Sequence, residues 1–375
     1  MSKSSRYRSR SETPADDDGD SVLTVGGTEV RRGQRVVVNL QVSTLLNHQA
    51  VYMPVHVIRG NAPGPRLFVS AALHGDEVNG IEVIRRLLRR RDLKSLQGDL
   101  LVVPVIGVPA FLIRSRYLPD RRDLNRQFPG SETGSMGGRL ASVFLREVVY
   151  QCTHGIDLHS GAVNRPNLAQ VRLSTKSGEL LEMARAFASP VAMVTDGPEG
   201  SLRAHMAERG IPLLVYEAGE ASRLDAAGVR QGLAGILGVM RHLDMLPHPP
   251  RTKPRPQPVI SRSSFWERAP VGGIFTALVP LGKAVTTDTV IGIVGDPFGT
   301  GTVRVRPREP GLVIGRTNLA MVDEGEALVH VARISDPDAA ESAVREVRAQ
   351  TDGSHMEPVD HNALDPALEG NGGGS

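Results

Sequence analysis

The sequence predicts an α/β protein: a mixed, mostly parallel sheet flanked by helices, with a small all-β domain at its C-terminal end. Three observations carry that expectation. Near-continuous apolar runs, such as RLFVSAAL (66–73) and LLVVPVIG (100–107), read as strands buried on both faces, as in parallel sheets. They alternate with stretches of helical spacing, as at Ile81, Ile84, Leu87 and Leu88. Beyond about residue 247 the pattern changes to short β-rich runs separated by Gly, Pro and Asp.

In chain order, residues 1–20 are Ser/Arg-rich, then acidic, and read as a disordered tail. Residues 21–247 read as the α/β domain. Alternating strands are expected at 30–42 and 49–60, and a buried strand at 64–73. A helix follows over 79–93 and a strand over 98–107. Strand, helix, strand in this order implies a crossover between parallel neighbours. The pattern recurs with a helix at 138–152, a short strand HGIDLHSG at 154–161 and a helix at 177–189. A strand at 190–196, a helix at 201–210, the strand IPLLVYEAGE at 211–220 and a long helix over 225–246 complete it. Residues 248–258 are too proline-rich for a helix or central strand and read as a linker. Residues 259–335 read as a structural β-rich module whose turn spacing resembles a lipoyl/biotinyl-type barrel, without a lysine in the usual modification context. A C-terminal segment follows at 336–352. From 353 onward, GSHM and GNGGGS have the character of an appended vector-derived tail.

Composition narrows the function. The 375 residues carry a net charge of +3, and only 4% are aromatic, which argues against a nucleic-acid partner held by charge and stacking. No run has transmembrane length and the N-terminus lacks an apolar signal core, so a cytoplasmic protein without a membrane partner is expected. The single cysteine, Cys152, excludes a disulfide framework and leaves His, Asp and Glu to hold any metal.

The candidate chemistry sits at strand ends. His74 and Glu77, in HGDE, follow the apolar run ending at Leu73. Alone, this H-x-x-E is a weak pattern that also describes a surface turn, with Gly75 expected to allow an unusual backbone angle. However, His159 closes another apolar strand and Glu217 a third, and parallel strands present their carboxyl ends on one edge, where ligands gather. A zinc site needs about three protein ligands and an open position. Asp157 lies on the strand face of His159 and is placed to orient it. RYLPDRRDLNRQFPG (116–130) offers Arg116, Arg121, Arg122, Asn125 and Arg126, and arginine's fixed fork suits a substrate carboxylate. Trp266 reads as a cover over the joint between domains.

HGDE (74–77), DLNRQFPG (123–130), DLHSG (157–161) and VYEAGE (215–220), in this order, resemble the succinylglutamate desuccinylase/aspartoacylase family. Its fold is similar to that of zinc carboxypeptidases. The likeness extends over about residues 45–335. It implies one zinc per chain on His74, Glu77 and His159. It also implies Glu217 as general base and then proton donor, and Asn125 and Arg126 on a substrate carboxylate. Arg116 would polarise the scissile carbonyl, although the long stretch YLPDRR leaves Arg121 and Arg122 as alternatives. The implied activity is zinc-dependent hydrolysis of an amide bond in an N-acyl amino acid or similar small acidic substrate. Carboxypeptidase-like removal of terminal residues, glutamates among them, is the variant reading. A non-catalytic carboxylate-binding module is the other class, and an oligomer is allowed.

Overall fold

The computed structural model describes residues 22–174, 178–248 and 257–353. The expected N-terminal tail, most of the Pro-rich stretch, and the tail from 354 lie outside these residues. A short hairpin, β1 (Leu23–Val25) and β2 (Thr28–Val30), leads into a long one, β3 (Arg35–Thr44) and β4 (Ala50–Arg59). Then come β5 (Ala62–Ala71), α1 (Asn79–Leu87), β6 (Gln97–Val103), α2 (Val108–Leu112) and α3 (Met136–Glu147). They are followed by β7 (His154–Gly161), β8 (Asn167–Leu173), α4 (Gly178–Phe187), β9 (Val191–Val194), α5 (Leu202–Glu208), β10 (Leu213–Glu220) and α6 (Ala226–His242). The final part holds β11 (Val259–Ser261), β12 (Ser264–Arg268), β13 (Gly273–Ala277), β14 (Ala284–Val285), β15 (Gly292–Gly295) and β16 (Thr302–Val305). It closes with β17 (Gly311–Arg316), β18 (Met321–Val322), β19 (Ala327–Ala332) and α7 (Pro337–Gly353).

The large sheet is mixed, with central order β8-β10-β7-β5-β6-β4-β3. β10, β7, β5 and β6 run parallel to one another, so their carboxyl ends share one edge. The period-2 pleat divides β5 between two cores. Leu67, Val69 and Ala71 face α1, α4 and α6, whereas Phe68 faces α3 and α5. That double burial is why the strand reads as an unbroken apolar run. Helix α1 buries Val83, Ile84 and Leu87, while Arg85 and Arg86 pair with Glu82 on the solvent side.

The sequence makes the β-rich part a unit after a linker, but in the structure the sheet runs through it. β17 meets β8 where Gly315 pairs with Asn167, β11 adds parallel to β9, and β19 and β12 continue the order outward. Leu312, Ile314, Ala340 and Val344 share a core with Leu168, Val191 and Met193. Within the β-rich part, β13, β15, β16 and β18 form a sheet of their own. Among the described residues, no helix is long and apolar enough to cross a membrane.

One buried polar cluster ties the edge of the domain together. Asp99 on β6, with no side-chain exposure, accepts from Arg32, Arg59 and Arg66 at 2.7, 3.1 and 2.9 Å. Replacing it strands cations in a dry site. Asp99→Ala is therefore expected to lower unfolding free energy by about 3–5 kcal/mol, read by denaturant titration. A loss below about 1 kcal/mol would show that the arginines find other partners.

Candidate active site

The turn after β5 brings His74 and Glu77 to the shared edge. Its unusual backbone angle falls at Ala72 (φ 46°), not at Gly75 as the sequence reading expects. Gly75 is required for space: a Cβ there would lie 2.1 Å from the Ala110 carbonyl carbon of α2. Helix α2 thus presses the loop against the sheet. β7 delivers His159 from the next strand. Glu217 is its register partner on β10, a strand that continues past the glutamate to Glu220 through a bulge.

Glu77 lies between the two imidazoles. Its Oε1 is 2.7 Å from His74 Nδ1, and its Oε2 is 2.9 Å from His159 Nδ1 and accepts from Ser160 N. The three side chains are buried, and their donor atoms lie within 4.8 Å of one another. On the far side of each ring stands another carboxylate: Asp123 at 3.0 Å from His74 Nε2, and Asp157 at 2.8 Å from His159 Nε2. Asp157 is itself fixed by Ser70 on β5. Asp123 is fixed by Arg116 and by the Asn125 backbone N–H.

This donor set fits zinc. With each Nε2–H donated to an aspartate, each Nδ1 lone pair faces a carboxylate oxygen. Such contacts repel unless a proton or cation lies between them. Three carboxylates and one guanidinium, Arg116, leave two negative charges, which a divalent cation cancels. The electrostatic surroundings make the same demand for positive charge. Burial opposes protonation of both imidazoles, yet Glu77 and Asp123 raise the pKa of His74, and Asp157 and Glu77 raise that of His159 further. Burial also works against the Glu77 carboxylate, but the two histidines hold it well below the ordinary range.

The cage opens into a cavity of about 310 Å³. Arg116, Asn125 and Arg126 line it, as does Glu217. Arg121 and Arg122 do not: both are exposed, and Arg122 faces Asp120. Asn125 Oδ1 accepts from Leu202 N, at the start of α5, which fixes the loop. Arg126 is exposed at the rim and donates to the Asn125 carbonyl.

Several lining residues escape the sequence reading. Arg165, Asn167, Arg172 and Arg203 all face the cavity. Arg203 is held by the Thr195 and Asp196 carbonyls, and burial together with Arg172 pushes its pKa down to about 10. Trp266 and His330, from β12 and β19, stack at 4.6 Å and form part of the wall, so the β-rich part contributes to the site and is not only structural. Burial and Arg172 push His330 down to about 3, which keeps it neutral. A lone histidine in an apolar strand gives no signal of this placement.

The site and the sheet around it define a deacylase-type catalytic domain, and comparison with known proteins agrees. Residues 63–243 match the succinylglutamate desuccinylase/aspartoacylase catalytic domain. Over these residues the chain is similar to the succinylglutamate desuccinylase/aspartoacylase family. It is 27% identical over 297 residues to the N-alpha-acetyl-L-2,4-diaminobutyric acid deacetylase of Halomonas elongata, covering 76% of this chain and 86% of that protein. A succinylglutamate desuccinylase/aspartoacylase from Rhodobacter sphaeroides superposes with a TM-score of 0.71 at 25% identity, over 81% of this chain and 97% of the other. The product-bound ectoine utilization protein from Ruegeria pomeroyi shares the fold, with a TM-score of 0.72 at 23% identity over 84% and 99% of the two chains.

His159→Ala removes one cage ligand together with the partner of Asp157. It is expected to lower zinc affinity by about 100-fold or more, measured by competition with a chromogenic chelator. Unchanged affinity would mean that the cation binds elsewhere.

Proposed function

We propose that this chain is a zinc-dependent hydrolase that cleaves the amide bond of an N-acyl amino acid carrying a further acidic group. The observation that supports it most directly is the buried His74–Glu77–His159 cage opening beside Glu217 into an arginine-lined cavity. Held on His74, Glu77 and His159, zinc would supply Lewis acidity, polarising the amide and acidifying the attacking water. Glu217 accepts the proton of that water as the C–O bond forms and returns it to the nitrogen as the C–N bond breaks. Arg116, 3.3 Å from Glu77 and lining the cavity, faces the oxyanion that develops on the carbonyl. Asn125 and Arg126 grip the substrate carboxylate at the rim, which turns binding into orientation. A cavity of about 310 Å³ walled by Trp266 and His330 favours a small acyl amino acid over a peptide end.

Charge selects among such substrates. The carboxylates on the cavity wall are largely engaged: Glu77 with both histidines, Asp157 with His159 and Ser70, and Glu217 with Asn167 through one oxygen, the other lying 3.4 Å from Arg172. Only that Glu217 oxygen could meet a substrate ammonium, and Arg172 stands beside it, whereas five arginines line the space. N-acetylaspartate or N-acetylglutamate is therefore expected to show a kcat/KM about tenfold or more above that of N-alpha-acetyl-2,4-diaminobutyrate, in parallel hydrolysis assays. The reverse order would refute an acidic-substrate pocket.

Glu217→Gln keeps the shape but loses the proton acceptor. Expected are an unchanged zinc stoichiometry and a kcat lower by about 10²–10⁴-fold. Turnover at the wild-type rate would assign the base elsewhere.

A further inference from the structure

We propose that Asn167 is the positioning residue for Glu217, and that the C-terminal β strands set Asn167 through a close approach at Gly315. This rests on the reading of Glu217 as the base. The Asn167 Nδ2 group donates to Glu217 Oε2 at 2.7 Å. A carboxylate only accepts, so the amide must present its nitrogen to Glu217 and turn Oδ1 away. Glu217 Oε1 has a long ionic contact, 3.4 Å from Arg172 Nε, and that Nε is left without a hydrogen bond. One oxygen is therefore pinned and the other stays available to take a proton in the cavity.

The pinning geometry is set partly from outside the catalytic domain. Asn167 opens β8, whose ladder with β10 shifts register between Glu217 and Gly219. That irregularity leaves the Asn167 side chain beside Glu217. On its other side, Asn167 pairs with Gly315 of β17, and Gly315 in turn pairs with His330 of β19. A Cβ at position 315 would lie 3.0 Å from Asn167 Oδ1 and 3.3 Å from the His330 Cβ. Both contacts are tighter than a side chain ordinarily tolerates, so the absent side chain is what allows the amide its place. Asn167 is thus held from both sides, and β17 acts as a backstop for the base.

The test uses the zinc-loaded full chain and reads kcat, KM, zinc stoichiometry and thermal midpoint together. Loss of the amide donor in Asn167→Ala is expected to lower kcat by about 10- to 100-fold, with KM within about twofold and zinc unchanged. Asn167→Asp places a second carboxylate against the first and is expected to lose more than the alanine variant. Gly315→Ala is expected to lower kcat in the same way, and the Gly315→Ala/Asn167→Ala double variant to lose no more than Asn167→Ala alone, because both act through one contact. A kcat within twofold of wild type in both Asn167 variants overturns the proposal. Additive losses overturn the Gly315 link, and a loss that appears in KM or in zinc content assigns Asn167 to substrate or cage instead. If Glu217→Gln itself retains full turnover, the underlying reading of the base fails, whatever the Asn167 variants do.

Discussion

A single carboxylate wedged between two imidazoles organises this protein. Glu77 is buried, and its two oxygens each face a histidine nitrogen less than 3 Å away. Burying an ionised group is expensive unless it is paired and hydrogen-bonded. The fold meets that cost by surrounding Glu77 with both rings, the Ser160 N–H and Arg116. Each ring is backed by an aspartate, and each aspartate is held by another element: Ser70 of β5 for one, the Arg116 loop for the other. The arrangement is over-determined, each donor being held in place by more than one neighbour.

The parallel sheet supplies the rest of the geometry. Because β5, β7 and β10 run the same way, residues far apart in sequence arrive at one edge, and register alone sets His159 beside Glu217. The strands carry apolar residues on both faces along much of their length, and the catalytic polar groups gather at that edge and in the loops above it. The low-dielectric surroundings strengthen the interactions aimed into the cavity.

The cavity is not a product of the α/β domain alone. Trp266 and His330 close one wall, and both come from strands that extend the same sheet beyond the Pro-rich stretch. The sheet carries a mechanical connection from the β-rich part to the catalytic edge through the row Trp266, His330, Gly315 and Asn167. Five arginines drawn from the 116–130 loop, the loop at Arg165, β8 and α5 line the cavity.

Much of this was legible in the chain. The apolar runs and helical spacings locate β5, α1, β6, β7, β10 and α6, because burial on two faces or on one stripe leaves a period that needs no knowledge of neighbours. His74, Glu77 and His159 stood out for the same reason: polar residues ending buried strands are rare, and parallel strands share an edge. The engaged partners did not stand out. Asp123 sits inside a recognised motif yet gave no hint that it backs His74. Asn167, Arg172 and Arg203 look like ordinary polar residues at strand and helix positions, and His330 looks like core. Their roles depend on register and on which strands lie side by side, and no local pattern encodes those. The need for glycine at 75 and 315 likewise comes from another backbone or side chain approaching in space, so local sequence determined the elements and the ligand types, whereas long-range pairing decided what each ligand faces.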